Sequence, residues 1–560
     1  MERRALIALS LSFVIFLAFM YYGEMNKPTT APAPATQTPA TQPGVAAPPP
    51  PPAAVVPTPP VKAPASRPAK DVVVDTPSFK AVFTELGGRL KSFQLKKYKD
   101  RMPFKPVYHF SLGPVGFEVD RYLNSGKAGI KPKDLVREGG ANELPLTVSW
   151  EGKTLKVPGM ELSEASTPSL TLQAGEKGTL KFTSVTPEGL SLVKTYTFKG
   201  DSYGFDLAVQ VTNNTGQPLD GQLNLDLSEN FAGEDASRFH FLGFNGSINN
   251  KLETIKSTDL KEPKTFTGKV EWAGLDEGYF MTAIIPESAK SWVTLSEPAK
   301  APMVASVRTP VEALGPGQAV QSSYVLYFGP KNLDDLNLLG LGRAVDFGWF
   351  DFLGKPLLAF LNWLERYSFN YGWAIVILTI LLRIVFWYPN HKSYKSMKDM
   401  QKLQPKVAKL REKYKDDKET MNKELMALYR TFKVNPMAGC LPMLLQLPVF
   451  IALYNVLGYA IELRHASFIP TLPFTNIVWL ADLSAKDPLL ITPLVMGATM
   501  FLQQKMTPSA GDPTQAKMMM FLPVIFTFMF LNFASGLVIY WLVNNVLSIA
   551  QQHYTNKYLT

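Results

Sequence analysis

From about residue 341 onward the chain is a succession of apolar runs, and this pattern most constrains what it can fold into. Five of them, at about 372–388, 438–461, 489–504, 518–533 and 537–552, are separated by charged or turn-rich segments. A bilayer interior offers no water to satisfy backbone groups, so runs of this kind cross it as helices that bond their own backbone. A core of five spanning helices is therefore expected. An earlier stretch, the 18 residues Ala5–Tyr22 behind Arg3 and Arg4, exceeds an ordinary signal-peptide core and lacks a small-x-small site directly after it. It is expected to remain as an uncleaved anchor.

Between anchor and core the composition changes twice. Pro28 to Pro68 holds 15 prolines in 41 residues, too few apolar groups to build a core, so it reads as an extended tether. At ~3.1 Å per residue it would reach on the order of 100 Å. Strand signals then dominate. Leu190, Leu192, Tyr196 and Phe198 alternate on one face of 190–199, Phe205–Thr212 repeats the alternation, and Gly200–Gly204 supplies a turn. Similar runs near Ala81–Phe83, Phe280–Ile285 and Tyr324–Phe328 predict a large antiparallel sandwich. Cys440 is the only cysteine, so this domain is held by burial, without disulfides.

The net charge of +10 is concentrated. Residues 391–435 carry 13 Lys and Arg against 6 Asp and Glu, which marks this loop as cytoplasmic. Tyr394, Met397, Leu403, Val407, Leu410 and Tyr414 form one stripe there, and Met421, Leu425, Leu428 and Phe432 another, with Asp416-Asp417 between them. That predicts an antiparallel helical hairpin with basic outer faces, suited to anionic lipid or to RNA. Ahead of the first span, Lys355–Arg366 is amphipathic, opens with Pro356 at a helix start, and is expected to lie in the interface. In chain order the expected parts are an anchor at 1–27, a linker at 28–70, a β domain at 71–335 and an interfacial region at 345–368. Spans follow at 369–390, 436–461, 489–505, 518–533 and 537–552, with the hairpin at 391–435, an outside loop at 462–488, a cytoplasmic loop at 506–517 and a tail at 553–560.

The spans are short. A ~30 Å hydrocarbon layer needs about 20 helical residues. The stretches dominated by apolar residues are Trp373–Tyr388, Leu489–Leu502, Met518–Phe533 and Leu537–Ala550, of 16, 14, 16 and 14 residues. Either mismatch in a compact bundle or deliberate thinning of the bilayer follows. Arg383 lies inside the first, where a charge costs about 2.5–3.5 kcal/mol on insertion-based scales and cannot be shed. Gly372, Val376, Thr379, Arg383 and Asn390 share one small, polar stripe. Arg383 sits roughly 8 Å from the inner end by helical rise, so it either snorkels or lines a wet cavity. No span carries an acidic partner, since Glu462, Asp482, Asp487 and Asp512 fall in loops.

Catalysis is not signalled. No nucleophile elbow, H-E-x-x-H or phosphate-binding glycine loop appears, and the five histidines, His109 and His240 among them, are scattered. Neither a metal nor another cofactor is expected.

An ordered series of motifs resembles the YidC/Oxa/Alb family of membrane protein insertases. It runs through Asp346-Phe-Gly-Trp-Phe350, Lys355-Pro-Leu-Leu358, Tyr371-Gly-Trp-Ala-Ile375, Val434-Asn-Pro-Met-Ala-Gly-Cys-Leu-Pro442, Leu445-Gln-Leu-Pro-Val-Phe450, Pro523-Val-Ile-Phe526 and Ser535-Gly-Leu-Val538. The resemblance implies a polytopic α-helical protein of the bacterial inner membrane. It would have six transmembrane helices, five forming the core, a periplasmic antiparallel β-supersandwich, a cytoplasmic helical hairpin, and both termini in the cytoplasm. It also implies a hydrophilic groove with Arg383 as its basic residue, joined by Thr379, Gln503, Tyr540 and Trp541. A greasy exit face would carry Pro442, Pro448, Phe450, Pro523 and Ile525. The implied partners are nascent membrane proteins, the Sec translocon, membrane lipids, and a ribosome docking on 391–435, since only Lys557 supplies charge after the last span. Such a protein inserts and helps fold its clients and is no enzyme. The competing readings are a small-solute transporter and a membrane-tethered periplasmic sugar-binding protein.

Overall fold

The computed structural model of the chain describes residues 67–560 apart from 101, 103, 113–116, 125–129, 138–143, 232–240, 297–301, 416, 433, 435–440, 507–512 and 559–560. The side chains of 104–112, 117–124, 418, 441–443, 513–518 and 556 are likewise outside it. The expected anchor, most of the proline-rich tether, Cys440, His240 and the side chains of His109 and Pro442 therefore lie outside the described residues. The described chain divides into two compact units, residues 399–436 and the remainder.

The period-two alternation builds the expected β domain. Leu190–Lys199 and Gly204–Asn213 pair antiparallel, Leu190 opposite Asn213, within a nine-stranded sheet. A six-stranded sheet centred on Met303–Leu314 and Leu219–Glu229, a five-stranded sheet built on Phe79–Thr84, and a two-stranded pair of Phe104–Leu112 with Phe117–Asn124 accompany it. Among the described residues all strand pairs are antiparallel but one: Asp71–Asp75 runs parallel to Ser169–Thr171. Phe79 stacks on Phe93 at 4.4 Å and approaches Phe198 and Phe205, tying the five-stranded sheet to the nine-stranded one. Tyr324 and Thr309 share a hydrogen bond of 3.1 Å between the nine- and six-stranded sheets. The buried face of 190–199 also carries Lys194, which breaks the apolar alternation. Its ammonium donates to the carbonyls of Gly87 at 2.7 Å and Leu146 at 2.8 Å.

Among the described residues nine α-helices follow: α1 Leu333–Leu338, α2 Asp351–Glu365, α3 Tyr371–Val385, α4 Trp387–Lys413, α5 Lys418–Thr431, α6 Leu441–Tyr459, α7 Ile491–Met506, α8 Pro513–Phe530 and α9 Ser535–Tyr558. Among the described residues no single helix is long and apolar enough to cross a membrane. α3 and α4 meet that test only together, bent by 64° at their break. Pro389, in the first turn of α4, has no N–H to offer the Val385 carbonyl, which accounts for the break. Pro356 does not start its helix as expected. α2 begins at Asp351, whose carboxylate accepts from the Phe347 N–H and pairs with Lys355 at 2.9 Å, so Pro356 falls in the second turn.

The hairpin of α4 and α5 closes on Met400, Leu403, Val407, Met421, Leu425 and Tyr429. Asp417 caps α5 by accepting from the Thr420 N–H at 3.1 Å. Phe432 is half-exposed instead of buried, with the Lys406 ammonium 4.1 Å above its ring.

Contacts within the larger unit fix the β domain on the helices. Arg464 donates to the carbonyls of Lys99 and Asp100, both at 2.9 Å, with its guanidinium over the Phe280 ring. Asn332 donates to Glu462, whose carboxyl burial pushes up in pKa, and Asn455 donates to the Phe347 carbonyl. The stretch Phe468–Leu480, without an evident role in the sequence, is a small hairpin pairing Ile469–Thr471 with Val478–Leu480.

Candidate functional site

The placement of Arg383 begins at the outer end of α3. Asn370 caps this helix by accepting from the Trp373 N–H, and its amide donates to the Phe468 carbonyl. A side chain at Gly372 would put its Cβ 2.2 Å from the Phe468 ring, so glycine is what lets the small hairpin sit on the helix. The stripe expected on this helix turns inward: Gly372, Thr379 and Arg383 are buried, Asn390 of α4 is too, and Val376 is half-buried. The Thr379 hydroxyl bonds back to the Ile375 carbonyl at 2.7 Å.

Arg383 is only 7% exposed. One terminal nitrogen donates to the Tyr394 hydroxyl at 3.0 Å, while Nε has no hydrogen-bond partner among the described residues. The sequence groups Tyr394 with the hairpin stripe; the structure turns it to the arginine. No Asp or Glu occurs in α3, α6, α7, α8 or α9. The guanidinium is therefore buried beside a neutral phenol, with no carboxylate on these five helices to neutralise it.

α9 supplies the other wall. Tyr540 is buried and its hydroxyl accepts from Gln446 of α6 at 2.8 Å. Trp541 packs edge-on to Phe450 of α6 at 4.8 Å and against Phe530 of α8 at 5.3 Å, so it fills the space between those helices. Further along α9, Asn545, Ser548, Gln552 and Thr555 are all buried. Asn545 donates to Thr499 of α7, Gln552 to the Met506 carbonyl, and Gln551 to the Trp387 carbonyl at 3.0 Å. Leu537–Ala550 is thus less apolar than its hydropathy suggests, because Asn544, Asn545 and Ser548 interrupt it. Their 3- and 4-residue spacing toward Gln552 and Thr555 was the available signal.

The remaining expected site residues are dispersed. Gln503 is half-buried on α7, Pro448 half-buried on α6 and Pro523 buried on α8, where its carbonyl accepts from Thr527. Ile525 points outward at 62% exposure, beside exposed Phe521 and Phe528. The structure brings together Thr379 with Arg383 on one helix face, Trp541 with Phe450, and Tyr540 with Gln446. Among the described residues no cluster of His, Cys, Asp and Glu could hold a metal.

Comparison with known proteins identifies the family of the chain. Residues 363–560 match the family described as the 60Kd inner membrane protein, and residues 115–360 match the YidC periplasmic domain. The membrane protein insertase YidC of Geotalea daltonii is 41% identical over 570 residues, covering 100% of both chains. The chain belongs to the YidC family of membrane protein insertases. The insertase of Citrifermentans bemidjiense is 42% identical, covering 100% of this chain and 99% of its own. An active YidC insertase crystal structure with the first transmembrane domain resolved aligns at a TM-score of 0.36 and 19% identity, over 87% of this chain and 93% of that one. The protein described here is accordingly an inner-membrane insertase with a periplasmic domain, acting on membrane-protein clients. The transporter and sugar-binding readings are not favoured.

Proposed function

We propose that the insertase admits the polar segment preceding a client's apolar helix into the interior bounded by α3, α6, α7 and α9. The observation that carries this is Arg383, buried with an unpartnered Nε and with no acidic residue on any of these helices. A fixed cation of this kind implies water around it and attracts an acidic guest. Thr379, Tyr540, Trp541 and Gln503 line the same route, and the client's polar segment needs less desolvation there than in lipid. No covalent step is required. Release into lipid is driven by apolar burial at ~25 cal/mol per Å², along an exit face of Pro442, Pro448, Phe450, Pro523 and Ile525. Short spans thin the bilayer and shorten the path.

Around this core we place six spans with both termini cytoplasmic, the first being the anchor at 1–27. Partners beyond the client are the Sec translocon for some substrates, membrane lipids, and a ribosome on the basic faces of 391–435. The hairpin's own apolar core supports the last role, since it leaves Lys402, Lys409, Lys413, Lys415 and Lys423 outward.

The test is insertion into proteoliposomes of paired clients whose leading segments are acidic or neutral. Arg383→Ala is expected to impair the acidic client more. Equal impairment of both sinks the electrostatic mechanism.

A further inference from the structure

A crevice of about 320 Å³ lies between α3 and α9, beside the start of α4. Its apolar walls are Ile380, Ile384, Leu547 and Ala550, and the rings of Trp387 and Tyr554 stand 6.2 Å apart at its rim. Arg383 and Gln551 also line it. Both are buried, Gln551 to 2% exposure, and each leaves one polar atom without a partner among the described residues: a donor, Arg383 Nε, and an acceptor, Gln551 Oε1. Unpartnered buried groups of opposite hydrogen-bonding sense beside an apolar slot are unusual, because each normally costs the free energy of a lost hydrogen bond.

We infer that this crevice binds one acidic phospholipid, its phosphate on Arg383, a headgroup hydroxyl on Gln551, and the upper acyl chain against Ile380, Ile384, Leu547 and Ala550. Three observations select lipid over a client helix. The walls face outward, Ile384 being 61% exposed and Ile380, Trp387 and Tyr554 all above a third. The two aromatics carry the amphipathic character that anchors at headgroup depth. The volume is also too small for a helix: one turn, ~10 Å across and 5.4 Å tall, fills roughly 400 Å³. An acidic headgroup matches the anionic surface of the cytoplasmic leaflet. This inference does not rest on Arg383 attracting clients, because its decisive variants lie at Ala550 and Ile384.

The test uses the full chain purified in detergent, exchanged into nanodiscs of phosphatidylcholine with or without phosphatidylglycerol, and weighed intact with its retained lipid. One phosphatidylglycerol per chain should be retained, favoured about fivefold or more over phosphatidylcholine, the effect expected of one cation near a headgroup. Ala550→Trp and, independently, Ile384→Trp fill the crevice from exposed positions and should each abolish that retention with the thermal transition preserved. Indifferent retention of the two lipids overturns the inference, as does retention undiminished in both folded variants. Displacement of the lipid one-for-one by an acidic client peptide also overturns it, assigning the crevice to polypeptide.

Discussion

Lys194 offers the sharpest physical test of the periplasmic domain. It is 1% exposed on the inner face of its strand, and its ammonium is held by two backbone carbonyls. Burial pushes its pKa down from 10.5 to about 7, and the nearby Arg89 guanidinium pushes the same way, against weaker pulls from Glu161 and Asp226. At 1.36 kcal/mol per pH unit, that displacement corresponds to about 5 kcal/mol. The sign follows from where each state binds the proton. Below about pH 7 both folded and unfolded chains are protonated, and the full penalty of a buried cation weighs on the fold. Between about 7 and 10.5 only the unfolded chain keeps the proton, so stability rises with pH. Above that window both forms are neutral and the penalty is gone.

Lys194→Met removes the titration but leaves the Gly87 and Leu146 carbonyls without their donor, at about 1–3 kcal/mol each. The two effects are of similar size near neutrality, so a midpoint at one pH decides nothing. The slope does. Pulse proteolysis in urea at pH 6 to 10, reading peptides from 177–213, should show the wild type gaining up to ~1.4 kcal/mol per pH unit relative to the variant. The curves should cross, with the variant less stable at the alkaline end. Parallel curves would refute the reasoning, because they would mean that Lys194 takes no proton from folding.

Three further outcomes are expected. Gly497→Val should push α7 from α8, since a Cβ there would lie 2.0 Å from the Thr527 hydroxyl; a loss of about 1–3 kcal/mol and weakened insertion are measurable by thermal unfolding and proteoliposome assay. Arg464→Ala removes two hydrogen bonds to the Lys99 and Asp100 carbonyls and a ring contact, so amide exchange near 96–100 and 279–282 should quicken while the β domain keeps its own protection. Asp417→Ala removes the cap of α5 at a cost of about 0.5–2 kcal/mol, seen as lower protection over 418–424 and, on the ribosome reading, weaker ribosome pelleting.

Much of the fold was legible because its periodicities are local. Alternation at 190–199 and 205–212 gave both strands and the turn joining them, and the hairpin stripes gave most of its core. What local pattern could not reveal was partnership across the chain. Lys194 sits on the face with Tyr196 and Phe198, yet its tolerance there depends on carbonyls 107 and 48 residues away. Pro356 read as a helix start because proline favours first turns. The deciding contact was the Asp351 carboxylate on the Phe347 N–H, which sets the start one turn earlier.

The candidate site divides along the same line. Arg383 announced itself as a charge in an apolar run, and the spacing to Thr379 and Gly372 gave its face. Tyr394, eleven residues on, escaped notice because a break at Phe386 lies between them, and helical spacing carries no phase across a break. The polar stripe of α9 was hidden differently. Asn545, Ser548 and Gln552 dilute a span's hydropathy only slightly when Leu, Val and Ile occupy the other faces, so an average over the run erases what an angular reading keeps. A buried guanidinium whose own helix and the four apolar helices Leu441–Tyr459, Ile491–Met506, Pro513–Phe530 and Ser535–Tyr558 carry no carboxylate has neither a strut's ion-pair partner nor a catalyst's geometry. On the proposed reading its free energy is lowered by water, by a lipid phosphate or by an acidic guest that can leave again, and an insertase must release every client it admits.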